Sequence, residues 1–272
     1  MRVDPTRRRR SRRRGHPASA TFFLPPILQE CVPEPACVEL RQYTLHPGTR
    51  DVLIDLFEWE FIESQEALGM SVIGQFRDLD DPNRFVWLRG FRDMPSRARG
   101  LADFYGGPVW KAHRDAANAT MIDFDDVLLL RPAREWSGFR VDSRNRPAPG
   151  ATRLPETLIV ATVCKLGAPA SADLLDFFER VLQPVVTGVG AELLASFVTE
   201  NSPNNYPALP VREGEHIFVW FSRFENETAY ERYAAAVIRS PRWSEISERL
   251  VRDVKGSPQV LKLSPTTRSL VR

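Results

Sequence analysis

Residues 85–91, FVWLRGF, return in the second half of the chain as residues 218–224, FVWFSRF. The offset of 133 holds without a gap from 85–132 to 218–265 and pairs Trp87 with Trp220 and Trp110 with Trp243. Of the 48 aligned positions 12 are identical, where ordinary composition gives about three. An internal duplication is therefore predicted, with one copy in each half.

Both copies show the same order of hydrophobic patterns. The first copy is expected to contain strand 38–45, a helix from Thr49 to Gly69, strands 70–77 and 84–92, a helical region over 95–119 and strand 124–131. The second is expected to contain strand 157–165, helix 171–187, strands 190–199 and 215–224, a helical region over 226–252 and strand 258–263. This β-α-β-β-α-β order is the ferredoxin-like unit.

The predicted fold class is α+β, with two tandem ferredoxin-like repeats at 37–132 and 157–265. Residues 133–156, rich in Arg, Pro and Gly, form the linker, and residues 266–272 are a C-terminal tail. A four-stranded antiparallel sheet with helices on one side leaves its other face open, so two such sheets are expected to cover each other. The result is a pseudo-dimeric, eight-stranded α+β barrel.

The third strand of the first copy, residues 84–92, carries large side chains on both of its alternating faces. We expect Val86 and Leu88 to face the helices. The opposite face, expected to line the barrel interior, carries Phe85, Trp87, Arg89 and Phe91.

The charge of the chain is unevenly distributed. Eight of its 37 basic residues lie in the first fourteen positions, while the remainder holds 29 basic and 34 acidic residues. Residues 1–36 are predicted to form a disordered, Arg-rich tail. The tail is either an arm for phosphates or a dispensable extension. The acidic body argues against a nucleic-acid partner, because it would repel a polyanion.

Cysteine and apolar patterns indicate the compartment. Cys31, Cys37 and Cys164 are odd in number and lack metal-ligand spacing, which favours a reducing, cytoplasmic location without a metal site. No apolar run approaches the ~18 residues of a spanning helix, so no membrane insertion is expected. Motifs typical of hydrolases, nucleotide-binding proteins and zinc proteases do not occur in the sequence.

Three segments of the first copy resemble the NIPSNAP family. The clearest is ELRQYTLHPG, residues 39–48, and the others are FVWLRGF with DMPSRARG, residues 93–100, and the stretch from Tyr105 to Trp110. The resemblance covers 37–132 well and 157–265 loosely. It implies a dimeric α+β barrel of the kind found in small cofactor-free monooxygenases and related ligand-binding proteins, here fused into one chain.

The second copy departs from the family pattern at its first strand. There TLIVATVCKLG, residues 157–167, has no counterpart of Arg41 or Tyr43. A pocket is therefore expected to be single and to lie toward the first copy.

Candidate catalytic residues are Arg41, Tyr43 and His113. Arg41 and Tyr43 share a strand face with Glu39, where an arginine can hold a carboxylate or enolate and a tyrosine can donate to an oxyanion. A Glu39–Arg41 pair that braces the sheet is an equal alternative. His113 aligns with an apolar residue of the second copy, which is consistent with an acquired acid–base role, although a surface or structurally satisfied helix histidine is the favoured interpretation.

Candidate ligand-binding residues form an aromatic and cationic set: Glu39, Gln75, Trp87, Arg89, Tyr105 and Trp110. Trp87 and Arg89 share a strand face and suit a flat anionic ligand, although the pairing with Trp220 favours a packing role for Trp87. His216, beside the long loop 201–214, is a weaker candidate. That loop is interpreted either as a lid or as a tolerated surface insertion.

Three functional hypotheses follow. The leading one is a small-molecule-binding barrel that acts, without a cofactor, on a hydrophobic and partly anionic substrate by proton transfer or oxygen addition. The second is a scaffold protein that contacts partners through loop 201–214 and the Arg-rich tail. The third is a haem-binding barrel with His113 as the axial ligand. The sequence leaves open whether the chain also forms a homodimer.

Overall fold

The computed structural model describes residues 35–272. Nearly all of the predicted tail, and Cys31 with it, lies outside these residues. The eight strands are β1 Cys37–Leu45, β2 Ser71–Asp78, β3 Arg84–Phe91, β4 Met121–Pro132, β5 Leu158–Leu166, β6 Glu192–Thr199, β7 His216–Phe224 and β8 Gln259–Pro265. The helices are α1 Arg50–Leu56, α2 Ile62–Glu66, α3 Met94–Gly106, α4 Pro108–Asn118, α5 Ala172–Phe177, α6 Gln183–Gly188, α7 Glu227–Val237 and α8 Trp243–Asp253.

The strands close into one antiparallel barrel in the order β1-β3-β2-β8-β5-β7-β6-β4. Two seams join the halves: Phe76 of β2 pairs with Pro265 of β8, and Leu130 of β4 pairs with Thr199 of β6. The predicted pseudo-dimeric α+β barrel is confirmed.

The two halves differ mainly in one connection. Strands β5 and β6 begin 121 residues after β1 and β2, whereas the later aligned segments are 133 residues apart. The difference lies between β6 and β7, where loop 200–215 replaces the short turn 79–83 of the first half. A π-helical turn also occurs at the same place in each half, at Phe57–Phe61 and Phe178–Leu182.

The barrel interior is filled with apolar side chains. Val86 and Leu88 of β3 lie there, with Ile73, Phe197 and Phe221. The expectation that these two residues face the helices, and that Trp87 and Arg89 face the interior, is therefore wrong. Alternation fixes which residues share a face, but both faces of β3 are large and apolar, so it does not say which face the helices cover.

The predicted linker and C-terminal tail are packed parts of the barrel. Phe139 of the linker inserts into the interior, with ring centroids 5.3 Å from Phe197 and 4.9 Å from Phe221. The tail continues along β2, where the Thr266 N–H donates to the Gln75 carbonyl at 2.9 Å. Arg268 of the tail is buried and donates to Glu63 of α2. Within residues 35–272 no helix has the length and apolar character to cross a bilayer.

Candidate functional site

A buried carboxylate holds three arginines between the sheet and the helices of the first half. Glu39 Oε2 accepts from Arg41 Nη1 at 2.9 Å and from Arg89 Nη2 at 2.6 Å, and Glu39 Oε1 accepts from Arg97 Nε at 2.8 Å. All four side chains are completely shielded from solvent. We call these four residues the Glu39 cluster.

The strand register brings this cluster together. Glu39 lies opposite Arg89, and Arg41 lies opposite Trp87, on neighbouring strands β1 and β3. Alternate residues of both strands point to the helix side, so the charged groups and the Trp87 ring share one face. The Arg41 and Arg89 guanidinium carbons lie 5.6 and 4.9 Å from the Trp87 ring centre, within cation–π range.

Two members of the surrounding network were missed in the sequence. Arg97, near the start of α3, lies in the quoted DMPSRARG segment, which was the one available signal. Gln65 of α2 accepts from Arg89 Nη1 at 2.9 Å and donates to the Phe61 carbonyl at 2.8 Å. Phe61 ends the π-helical turn, where the regular backbone bonding of the helix is interrupted. Because this turn shifts the residues that follow it, helical periodicity in the sequence does not predict that Gln65 contacts Arg89.

The Glu39 cluster carries an excess of positive charge. One carboxylate faces three guanidiniums, which leaves two positive charges without a counter-charge in the cluster. Although burial opposes ionisation, the arginines hold the pKa of Glu39 far below its usual range, and Glu39 raises the pKa of Arg89. The Nη2 atoms of Arg41 and Arg97 have no hydrogen-bond partner among residues 35–272. Unpaired buried charge is costly, so the arrangement favours an incoming anion.

Tyr43 connects this charge to a cavity. Its hydroxyl accepts from Arg41 Nε at 2.9 Å, and its ring lines a cavity of about 270 Å³. Burial raises the pKa of Tyr43, so the hydroxyl is protonated at neutral pH. Among the described residues this hydroxyl donates no hydrogen bond.

The cavity, which we call the Tyr43 pocket, is mostly aromatic. Its walls come from β1, β4, α3, α4 and loop 200–215. They are formed by Tyr43, Tyr105, Trp110, Asn118, Met121, Phe124, Tyr206, Ala208 and Leu209. The loop therefore covers the pocket from the second half of the chain, which favours the lid interpretation over a loop free for partners.

The predicted ligand-binding residues fall into two groups. Tyr105 and Trp110 line the Tyr43 pocket with Tyr43 itself. The others, Glu39, Arg41, Arg89 and Trp87, are buried and do not line it. Gln75 is also buried, on β2 beside Trp87, and its side-chain amide has no partner in the described part of the chain.

The predicted histidines lie away from this pocket. His113 Nε2 is 3.4 Å from Glu60 Oε2 on the outer side of α4, and the His113 side chain is 33% exposed. Its predicted role beside Arg41 and Tyr43, and its role as a haem ligand in this pocket, are not supported by this position. Helical spacing places His113 on the same side of α4 as Trp110, but the His113 ring contacts the Phe61 ring. His216 lies at the start of β7 and lines a separate cavity of about 30 Å³.

The second half lacks the same polar set. Positions equivalent to Glu39, Arg41, Tyr43, Arg89 and Arg97 hold Val160, Thr162, Cys164, Ser222 and Tyr230. Val160 and Cys164 pack into the apolar layer between that sheet and its helices. Within residues 35–272 this polar set therefore occurs in the first half only.

Known proteins of solved structure share the fold. A candidate monooxygenase from Lactobacillus acidophilus is 16% identical, with a TM-score of 0.52, and the match covers 88% of this chain and 100% of that one. An anthrone oxidase-like protein is 15% identical, with a TM-score of 0.52, over 87% and 94% of the two chains. A NIPSNAP-like domain protein from Burkholderia xenovorans is 28% identical over 34% of this chain and 81% of that one, with a TM-score of 0.32. No curated protein matches the chain.

The NIPSNAP family model matches residues 38–137. That segment contains the Glu39 cluster and most walls of the Tyr43 pocket. Over residues 38–137, which form most of the first half of the α+β barrel, the chain is therefore similar to the NIPSNAP family.

Proposed function

We propose that the Tyr43 pocket binds a flat, apolar molecule that carries one anionic oxygen, such as an aryl carboxylate or an enolate. The observation that carries this proposal is the buried excess of positive charge, which the hydrogen bond from Arg41 to Tyr43 joins to an aromatic pocket. Apolar pockets with a few polar groups are typical small-molecule sites. A neutral ligand would leave the excess charge unpaired, whereas an anion compensates it.

The anionic oxygen is held at the Tyr43 end of the pocket. The Tyr43 hydroxyl donates to it, and Arg41, bonded to that hydroxyl at 2.9 Å, supplies positive charge behind it. Hydrogen bonds to charged groups contribute about 1.5–3 kcal/mol. The rings of Tyr105, Trp110 and Phe124 contact the apolar body of the ligand.

The excess positive charge of the Glu39 cluster also supports acid–base chemistry. Two proteins with this fold are named as a candidate monooxygenase and as anthrone oxidase-like. For a bound phenol or enolisable ketone, the Glu39 cluster stabilises the conjugate base relative to the neutral form. We therefore extend the proposal to a substrate that reacts as its enolate or phenolate, with Tyr43 as the group that stabilises the oxyanion.

The test compares naphthoate with neutral naphthylmethanol, which has the same ring system, by isothermal titration calorimetry on the full chain. We expect naphthoate to bind at least tenfold more tightly. Tyr43→Phe should lower naphthoate affinity by about tenfold or more and change naphthylmethanol affinity little. Tyr233→Phe, in the helix layer of the second half, is the matched control. Equal affinity for the two compounds would refute the proposal.

A further inference from the structure

We infer that loop 200–215, contributed by the second half of the chain, sets the size of the ligand that the first half accepts, and that Tyr206 is the size-selecting residue. This inference rests on the proposed function of the Tyr43 pocket. According to this inference, the first half of the barrel provides the positive charge of the Glu39 cluster, and the second half provides the loop that closes the Tyr43 pocket.

Among the described residues that line the pocket, only those of the loop lie outside the segment 38–137 that the NIPSNAP family model matches. Tyr206, Ala208 and Leu209 are its contribution to the lining. The Tyr206 ring stacks on Tyr105, with centroids 6.1 Å apart and an interplanar angle of 23°. Leu209 is buried in the apolar layer of the first half. Tyr206 is therefore the largest loop side chain that limits the space over the bound rings.

The loop is fixed in place by hydrogen bonds to the first half. Arg97 Nη1 donates to Asn204 Oδ1 at 3.0 Å and to Asn205 Oδ1 at 2.8 Å. Asn205 Nδ2 donates to the Met94 carbonyl at 2.7 Å. At the other end of the loop, the Arg212 N–H donates to the Val127 carbonyl at 2.8 Å. A cover held at both ends presents a fixed wall, and a fixed wall can discriminate ligands by size.

The loop serves the first half only. In the first half, the corresponding hairpin turn spans only 79–83. The layer that this turn would have to cover, between the sheet and helices of the second half, is packed with apolar side chains such as Val160, Phe178 and Trp220. The longer loop therefore accompanies the half that has the polar cluster and the cavity.

Because Tyr206 bounds the pocket beside Tyr105, its removal should admit wider ring systems. Ala208 offers the opposite change, since it is the smallest residue of the lining. Ala208→Phe adds a ring to the same wall and should exclude wide ligands without altering the asparagine contacts to Arg97. Neither substitution alters the Glu39 cluster, so the preference for an anion should persist in both variants.

The experiment measures the affinities of benzoate, naphthoate and anthracene carboxylate for the full chain by calorimetry. Tyr206→Ala should raise the ratio of anthracene carboxylate to naphthoate affinity at least fivefold, and Ala208→Phe should lower that ratio by a similar factor. Tyr43→Phe should weaken all three acids together and leave the ratio unchanged.

The two failures are distinguishable. If the acids bind to the unmodified protein but both loop variants keep its affinity ratio within twofold, the role of the loop is refuted and the proposed function stands. If none of the acids binds to the unmodified protein, the proposed function is refuted, and the role of the loop with it. A fall in the ratio for Tyr206→Ala would also overturn the inference.

Discussion

Glu39 is the residue on which the electrostatics of the first half depend. It accepts hydrogen bonds from Arg41, Arg89 and Arg97 and has no exposure to solvent. The favourable geometry compensates the cost of burying the carboxylate. Removing Glu39 would leave three buried cations without a counter-charge.

Glu39→Gln should therefore lower the free energy of unfolding by about 3–5 kcal/mol. Urea denaturation at neutral pH measures this change. Glu60→Gln is a matched control, because Glu60 is 40% exposed beside His113, where ion pairs contribute about 0–1 kcal/mol. A loss for Glu39→Gln no larger than the control would show that the cluster does not stabilise the fold.

The same carboxylate predicts a pH dependence. The pKa of Glu39 is depressed in the folded state, so its stabilisation is complete above the pKa of the unfolded chain and declines as the pH falls toward the folded-state pKa. The difference in unfolding free energy between the unmodified protein and Glu39→Gln should therefore shrink from about pH 4 downward. Denaturation curves at several acidic pH values measure it, and a difference that grows on acidification would contradict the assignment.

The residue-scale predictions from sequence succeeded where a strand pattern determined them. Glu39, Arg41 and Tyr43 were placed on one face because strand residues alternate, and the Glu39–Arg41 pair forms as one alternative expected. Arg97 joins them through tertiary packing of α3, which no local pattern encodes. His113 is a candidate because the second copy has an apolar residue at the aligned position, and such a comparison does not show which residues the His113 side chain contacts.

At the scale of elements, loop 200–215 distinguishes the two halves, whereas a π-helical turn occurs in both. The loop was located in the sequence by its length and by its Asn and Pro content. Its contacts to Arg97 were not predictable, since they join residues more than a hundred positions apart. The π-helical turns leave no signal in hydrophobic periodicity over so few residues.

The asparagine contacts predict the protection of the loop from proteolysis. The combined substitution of Asn204 and Asn205 by alanine should increase tryptic cleavage after Arg212 severalfold, because the loop opens more often when its bonds to Arg97 are lost. Asn201→Ala, at the exposed start of the same loop, is the control. Mass spectrometry of the early fragments measures the rates, and equal rates in both variants would show that these bonds do not hold the loop.

At the scale of the whole molecule, the barrel interior and the Tyr43 pocket lie on opposite faces of the first sheet. The closed barrel could be predicted from the duplicated β-α-β-β-α-β order, because two open sheet faces must cover each other. The face of the sheet that carries the Tyr43 pocket could not be predicted, because large apolar side chains occur on both faces of β3. The Tyr43 pocket lies on the helix side of this sheet, among residues of the layer between sheet and helices.

Phe139→Ala tests this separation. Loss of the ring that inserts between Phe197 and Phe221 should lower the free energy of unfolding by about 3–5 kcal/mol. Naphthoate affinity should remain within about twofold, because Phe139 lies on the other side of the sheet from Tyr43. Calorimetry at a temperature where the variant is folded measures the affinity, and a tenfold loss would show that interior and pocket are coupled.

The central claim, that the positive field of the Glu39 cluster selects an anion in the Tyr43 pocket, is tested most directly by the acid dissociation of a bound phenol. Naphthol changes its absorption spectrum on ionisation, so its pKa is measurable in the presence of saturating protein. The account predicts that the pKa of bound naphthol is lower than the pKa of free naphthol by at least one unit, and that Tyr43→Phe reduces this shift. A pKa that is unchanged or raised on binding would contradict the account.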